Sequence, residues 1–257
     1  MMTRYGAIAA LLCAAASSSC EKNTVQDITG PFPSARVKFF NFGVNAPAVN
    51  FYANETKMTA ILSGTGTEST NGVTYGGVGA GGAYSAIAPG QYTLTGRIAA
   101  ATDKDLPIAT VSATIADGKL YSFYMSGFYD AAAKTVDGFV VEDPFVSPTD
   151  YSVATVRFVH AIANANPMTL YAKNTTTGTE VAVGAEQTYK GAGAFTAVPA
   201  GVYDLSTRYA GSPTNVISRT AVSLSGGRVY TIGARGDITV ISTSATNRPI
   251  LDNTANR

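Results

Sequence analysis

Ala86-Ile87-Ala88-Pro89-Gly90-Gln91-Tyr92-Thr93-Leu94 returns later in the chain as Ala197-Val198-Pro199-Ala200-Gly201-Val202-Tyr203-Asp204-Leu205. A proline–glycine turn feeding an x-Tyr-x-Leu run predicts a half-buried strand, because alternate side chains of a strand face the same side. Two further blocks recur in the same order. Val37-Lys38-Phe39-Phe40-Asn41 matches Val156-Arg157-Phe158-Val159-His160, and each run leads to a Tyr-Ala pair, Tyr52-Ala53 and Tyr171-Ala172. Asp117-Gly118-Lys119-Leu120-Tyr121 matches Ser225-Gly226-Gly227-Arg228-Val229-Tyr230, and Arg97 and Arg208 fall at equivalent places. Ordered self-similarity of this kind is the signature of a duplicated module. Each copy reads as about seven short strands, with turn dipeptides between them and no helical periodicity. The expected class is all-β: two tandem immunoglobulin-like antiparallel β-sandwich domains behind an N-terminal signal segment.

Composition agrees with that class. The chain has 257 residues, of which 14 % are charged, with 26 Gly, 14 Tyr and no Trp. Ordinary soluble domains carry about 25 % charged residues. Thr, Val and Tyr suit a pleated, half-buried surface. The net charge is +1. No Lys/Arg stripe is present to displace counterions from phosphate, which argues against nucleic acid as a partner.

The N-terminus reads as an address. Arg4 precedes the apolar run Tyr5 to Ala16, and Ser17-Ser18-Ser19-Cys20 follows. That layout predicts an export signal over residues 1–19. Small residues leading into Cys20 resemble the lipobox of bacterial lipoproteins, in which the cysteine is acylated and the chain is cut before it. Ser17 stands where that family usually has Leu. Ordinary cleavage after Ala14-Ala15-Ala16, giving a plain secreted protein, is the alternative. Lipidation at Cys20 would make the membrane a partner, since several acyl chains on one residue anchor firmly where one does not. Residues 20–34 then read as a flexible tether, 35–143 as the first sandwich, 144–151 as a proline-flanked linker, 152–245 as the second sandwich and 246–257 as a C-terminal tail.

The repeats also resemble the uncharacterised bacterial exported domain family of unknown function numbered 4397. The resemblance lies in Arg36-Val37-Lys38-Phe39-Phe40-Asn41 through Asn45-Ala46-Pro47-Ala48-Val49-Asn50-Phe51-Tyr52. It returns in Arg157-Phe158-Val159-His160-Ala161 through Asn166-Pro167-Met168-Thr169-Leu170-Tyr171, and in the block from Phe195 to Tyr203. It implies an exported β module with no established activity. Asn45, Asn50 and Thr169 stand at the family's Asp positions, so a cation held there in relatives would be lost here.

Candidate chemistry is sparse. His160 is the one histidine, and its repeat counterpart is Asn41, which points to a hydrogen-bonded strand position rather than a catalytic base. Gly77-Val78-Gly79-Ala80-Gly81-Gly82 fits G-x-G-x-x-G, but Ala83 to Ile87 reads as strand where dinucleotide binding requires a helix. Glu142 and Asp143 would face opposite sides if extended, and Asp103 with Asp105 lack the six or more oxygens that calcium takes. Neither a catalytic set, a metal site nor a cofactor is expected. Tyr121, Tyr124, Phe128 and Tyr129 crowd one strand and its exit. They are the candidate ligand-binding residues, able to stack on a cell-surface glycan or protein unless they fill a core. The expected function is a non-enzymatic cell-envelope lipoprotein with a structural, adhesive or display role. The alternatives are a glycan- or peptide-binding module using those rings, and, with least support, a hydrolase.

Overall fold

The computed structural model describes residues 33–59 and 71–256. The signal segment 1–19, Cys20 and most of the tether lie outside the described residues. The first half contains β1 (Ala35–Val44), β2 (Val49–Ala53), β3 (Thr56–Lys57), β4 (Ser85–Ile87), β5 (Gly90–Ile98), β6 (Pro107–Ile115), β7 (Leu120–Asp130) and β8 (Thr135–Glu142). The second contains β9 (Val153–His160), β10 (Met168–Asn174), β11 (Glu180–Gln187), β12 (Thr196–Pro199), β13 (Gly201–Tyr209), β14 (Ile217–Leu224), β15 (Val229–Arg235) and β16 (Ile250–Ala255).

These strands form two β-sandwiches with one strand order. The first pairs a β4-β1-β7-β8 sheet with a β3-β2-β5-β6 sheet, and the second pairs β12-β9-β15-β16 with β11-β10-β13-β14. Strand n of the first half therefore occupies the place of strand n + 8 in the second. Pairing is antiparallel except at β1 with β7 and β9 with β15, which run parallel. Even the isolated bridges recur, Phe40 to Val78 and Val159 to Ala192.

The central strands explain why their sequences are apolar without alternation. In β1, Val37 and Phe39 point into the first core, whereas Phe40 and Phe42 belong to a separate buried cluster. In β7, Tyr121, Phe123 and Met125 face the core while Tyr124 faces that other cluster. Both faces are buried, so the period of two separates two interiors rather than inside from outside. The second interior is the seam between the sandwiches. It gathers Phe40, Phe42, Tyr124 and Phe139 from the first half and Val159 and Ala161 from the second. Tyr124 lies flat between Phe40 and Phe139, with ring centroids 4.4 and 5.0 Å away.

The two sides of the seam are complementary in size. The first half supplies large rings and the second small residues. Phe42 sits against Gly233, where an added Cβ would lie 2.9 Å from the ring. Tyr124 and Gly233 are repeat equivalents, as are Phe42 and Ala161.

The structure corrects one boundary. Residues 246–257, expected as a tail, contain β16, which pairs with β15 from Arg235↔Ile250 to Tyr230↔Ala255. Leu251 is buried in the second core. The strand was hidden because Ile250-Leu251-Asp252-Asn253-Thr254-Ala255 does not alternate, and an edge strand can carry polar residues that contact a neighbour.

Gly233→Ala places a methyl against Phe42 inside a filled seam, and overpacking of this kind costs about 1–3 kcal/mol. Phe40→Ala removes a buried ring and should cost about 3–5 kcal/mol. Urea titration followed by far-ultraviolet circular dichroism reads both. Midpoints equal to wild type would show that the seam contributes nothing to stability.

Candidate functional site

Four lone candidates from the sequence resolve into structural roles. The ring nitrogen Nδ1 of His160 accepts the Ile162 N–H at 3.2 Å, and Nε2 faces the Asn166 carbonyl at 3.1 Å. Asn41 does the same two jobs in the first half: Oδ1 accepts the Gly43 N–H at 3.3 Å and Nδ2 lies 3.4 Å from the Pro47 carbonyl. Nδ2 also donates to the Val73 carbonyl at 2.8 Å. Both side chains hold the exit of the first strand of a sandwich. The glycine run ends in a kinked, irregular turn at Gly79–Gly82, with Ala80 and Gly81 in the left-handed region, followed by β4 rather than a helix. Asp105 accepts the Tyr52 hydroxyl at 2.8 Å while Asp103 pairs with Lys134 at 2.7 Å, so the two acids serve different partners. Among the described residues, no three His, Cys, Asp or Glu side chains converge as metal ligands.

The four aromatic candidates do not form one exposed row, because two of them are buried. Tyr124 is fully buried in the seam, covered by the second sandwich. Tyr121 is buried in the first core, and its hydroxyl accepts the Ala116 N–H at 3.2 Å. Its equivalent Tyr230 accepts the Ser225 N–H at 3.1 Å. Each tyrosine thus staples the turn that precedes its own strand. Tyr129 is partly buried against the first core, and Phe128 alone of the four is exposed, at 41 %. The physical reason is that β7 lies inside its sheet with both faces covered, so no row of rings reaches water.

The repeated arginines face outward and are built alike. Arg97 stacks on Tyr52 at 4.4 Å and pairs with Glu55, and Arg208 stacks on Tyr171 at 4.5 Å and pairs with Glu180. Exposed pairs of this kind add little stability, and stacking on a ring adds some.

The chemistry that stands out lies at one end of the seam. Lys38, Asp143 and Arg157 are the buried residues with charged side chains among the described ones, apart from His160. Arg157 donates Nη2 to Asp143 Oδ1, Nη1 to the Glu142 carbonyl at 2.9 Å, and Nε to Thr231 Oγ1 at 3.1 Å. The other carboxylate oxygen of Asp143 accepts the hydroxyls of Tyr84 at 2.5 Å and Ser122 at 2.7 Å. Lys38 Nζ donates to the Ala255 carbonyl at 2.9 Å and to Asn256 Oδ1 at 3.1 Å, and Asn256 Nδ2 donates to Thr231 Oγ1 at 2.7 Å. Lys38 also sits 4.4 Å over the Tyr84 ring, as Arg157 sits 4.7 Å over Phe195.

This network is two-fold in pattern. Lys38 on β1 reaches the end of β16, and Arg157 on β9 reaches the end of β8. Ser122 corresponds to Thr231, Asp143 to Asn256, and Tyr84 to Phe195. At the opposite end Arg235 stacks on Tyr75 at 4.7 Å, and its counterpart Ser126 meets Tyr189 at 3.2 Å. The seam is thus built like an isologous dimer interface in which residue i meets j and j meets i. Sequence reading missed this because Lys38 and Arg157 entered it only as members of the repeated strand, with nothing to indicate what their side chains meet. A further repeat, Thr74-Tyr75-Gly76-Gly77 with Thr188-Tyr189-Lys190-Gly191, was legible and carries the tyrosines of the far end.

Two electrostatic consequences follow. Burial lowers the Lys38 ammonium to a pKa of about 8, with Asp143 opposing and Arg157 reinforcing the shift. Burial also raises the Tyr84 hydroxyl well above the ordinary tyrosine value, and the Asp143 carboxylate beside it adds to the effect.

His160 supplies the prediction here. Burial holds its pKa below the ordinary 6.5. The unfolded chain therefore binds more protons below pH 6.5, and that contribution to stability is lost as pH falls through 6.5 toward the folded value. His160→Asn should keep both backbone bonds, remain within about 1 kcal/mol of wild type, and flatten this acid limb. His160→Leu leaves the buried Ile162 N–H unpaired and takes the ring partner from the Asn166 carbonyl, and should cost about 1–3 kcal/mol. Denaturant midpoints across pH test it; an acid limb unchanged in His160→Asn would contradict it.

Residues 154–257, which span the second sandwich from within β9 through β16, match the family described as a domain of unknown function, DUF4397. No curated protein matches the chain.

Proposed function

We propose that the chain is a non-enzymatic cell-envelope lipoprotein, anchored through Cys20, whose two sandwiches are copies of one DUF4397-type module and serve a structural or display role. The observation that carries this reading is the identical strand order of the two halves, closed on each other through a seam. The side chains that could have offered chemistry are engaged in that architecture. His160 caps a strand exit, Tyr121 staples a turn, and Lys38, Asp143 and Arg157 lie within the seam. A module whose repeated groups serve its own packing is suited to a structural or display role. The match of residues 154–257 to DUF4397 supports reading the second sandwich as one such module. The anchor rests on the sequence before and at Cys20, with a polar tether before the first strand.

Metabolic labelling with palmitate in a bacterial host tests the anchor. The wild-type chain should incorporate label and fractionate with membranes, and Cys20→Ala should do neither. Label that persists in Cys20→Ala, or a wild-type chain released unlabelled into the medium after cleavage behind Ala16, would replace the lipoprotein by plain secretion.

A further inference from the structure

Lys38 poses a problem that its repeat partner does not. Arg157 is buried opposite a carboxylate, whereas the equivalent Lys38 is buried opposite the carboxamide of Asn256. Two buried cations share one buried anion, Asp143. An unpaired ammonium is costly to hold away from water. The carboxamide whose oxygen accepts from the amine at 3.1 Å carries an electrophilic carbon.

We infer that Lys38 and Asn256 are the two halves of an intramolecular isopeptide cross-link that forms in the folded chain. The Lys38 Nζ lone pair adds to Cγ of Asn256, a proton passes from Nζ to Nδ2, and the Cγ–Nδ2 bond breaks. One secondary amide is formed and one ammonia is released. Starting from the ammonium, the leaving species is ammonium ion, so no oxidant, cofactor or second substrate enters.

Four observations support this. First, the amide orientation is fixed. Oδ1 accepts from Lys38 Nζ at 3.1 Å, and Nδ2 donates to Thr231 at 2.7 Å. Second, the amine is available: at a pKa of about 8 roughly a tenth of it is unprotonated at neutral pH, far more than for an ordinary lysine. Third, both groups are fixed by strands, Lys38 within β1 and Asn256 just beyond β16, where the Asn256 N–H donates to the Val229 carbonyl at 2.7 Å. Holding reactants in place converts a very slow bimolecular step into a unimolecular one. Fourth, the product removes the uncompensated buried charge, leaving Arg157 and Asp143 as a matched pair. The link would join the first strand of one sandwich to the end of the last strand of the other, across 218 residues. It does not depend on the lipid anchor.

The test is peptide mass spectrometry of the full-length, folded chain after denaturation and trypsin. The C-terminal peptide ending at Arg257 should be found joined to the peptide containing Lys38, lighter by one ammonia than the two together. Cleavage after Lys38 should be absent. Lys38→Arg and Asn256→Ala should each release a free C-terminal peptide. A wild-type chain that gives a free C-terminal peptide and is cut normally after Lys38 overturns the proposal, whatever the variants do.

Discussion

A guanidinium cannot shed its charge at any pH a protein meets, so the burial of Arg157 dictates what surrounds it. It needs an anion and several acceptors in the same dry place. Asp143, the first residue beyond β8, supplies the anion; the Glu142 carbonyl and Thr231 supply the rest. All of this lies where the second sandwich meets the first. Removing either member would strand a buried charge, at a cost of about 3–5 kcal/mol. The pair therefore fixes the start of the linker at residue 144, and with it the position from which β9 must begin.

Around that pair the seam divides its work. The apolar centre provides area, with Tyr124 held between two phenyl rings and Phe42 resting on Gly233. The polar ends provide register, because hydrogen bonds tolerate little sliding. The two halves follow one plan but differ in residue size at equivalent places. A symmetric seam of two large rings would not close, and one of two small residues would leave a void. The departure from exact repetition is what lets two similar faces pack.

Much of the fold was legible in the residues. The proline–glycine turns before Tyr92 and Tyr203 and the strands opening at Val37 and Val156 pointed to two similar all-β sandwiches, but not to the order of strands within their sheets. The pairing of Asn41 with His160 also foretold their common role. Less was legible wherever a side chain answers to a distant partner. β16 sends only Leu251 fully into the second core and carries polar residues at Asp252, Asn253 and Thr254, so its pattern carried no strand signal. Tyr124 looked available because alternation states which residues share a face, and not whether a second domain covers it. The runs around Lys38 and Arg157 do not name their partners, since Asn256 lies 218 residues from Lys38 and Asp143 stands at the approach to the linker, 14 residues before Arg157.

The central claim is that the seam makes the two sandwiches one cooperative structure. Differential scanning calorimetry of the folded chain tests it most directly. The account predicts a single transition in which the calorimetric and van't Hoff enthalpies agree. Two resolved transitions, or a calorimetric enthalpy about twice the van't Hoff value, would show two sandwiches that unfold independently and would contradict it.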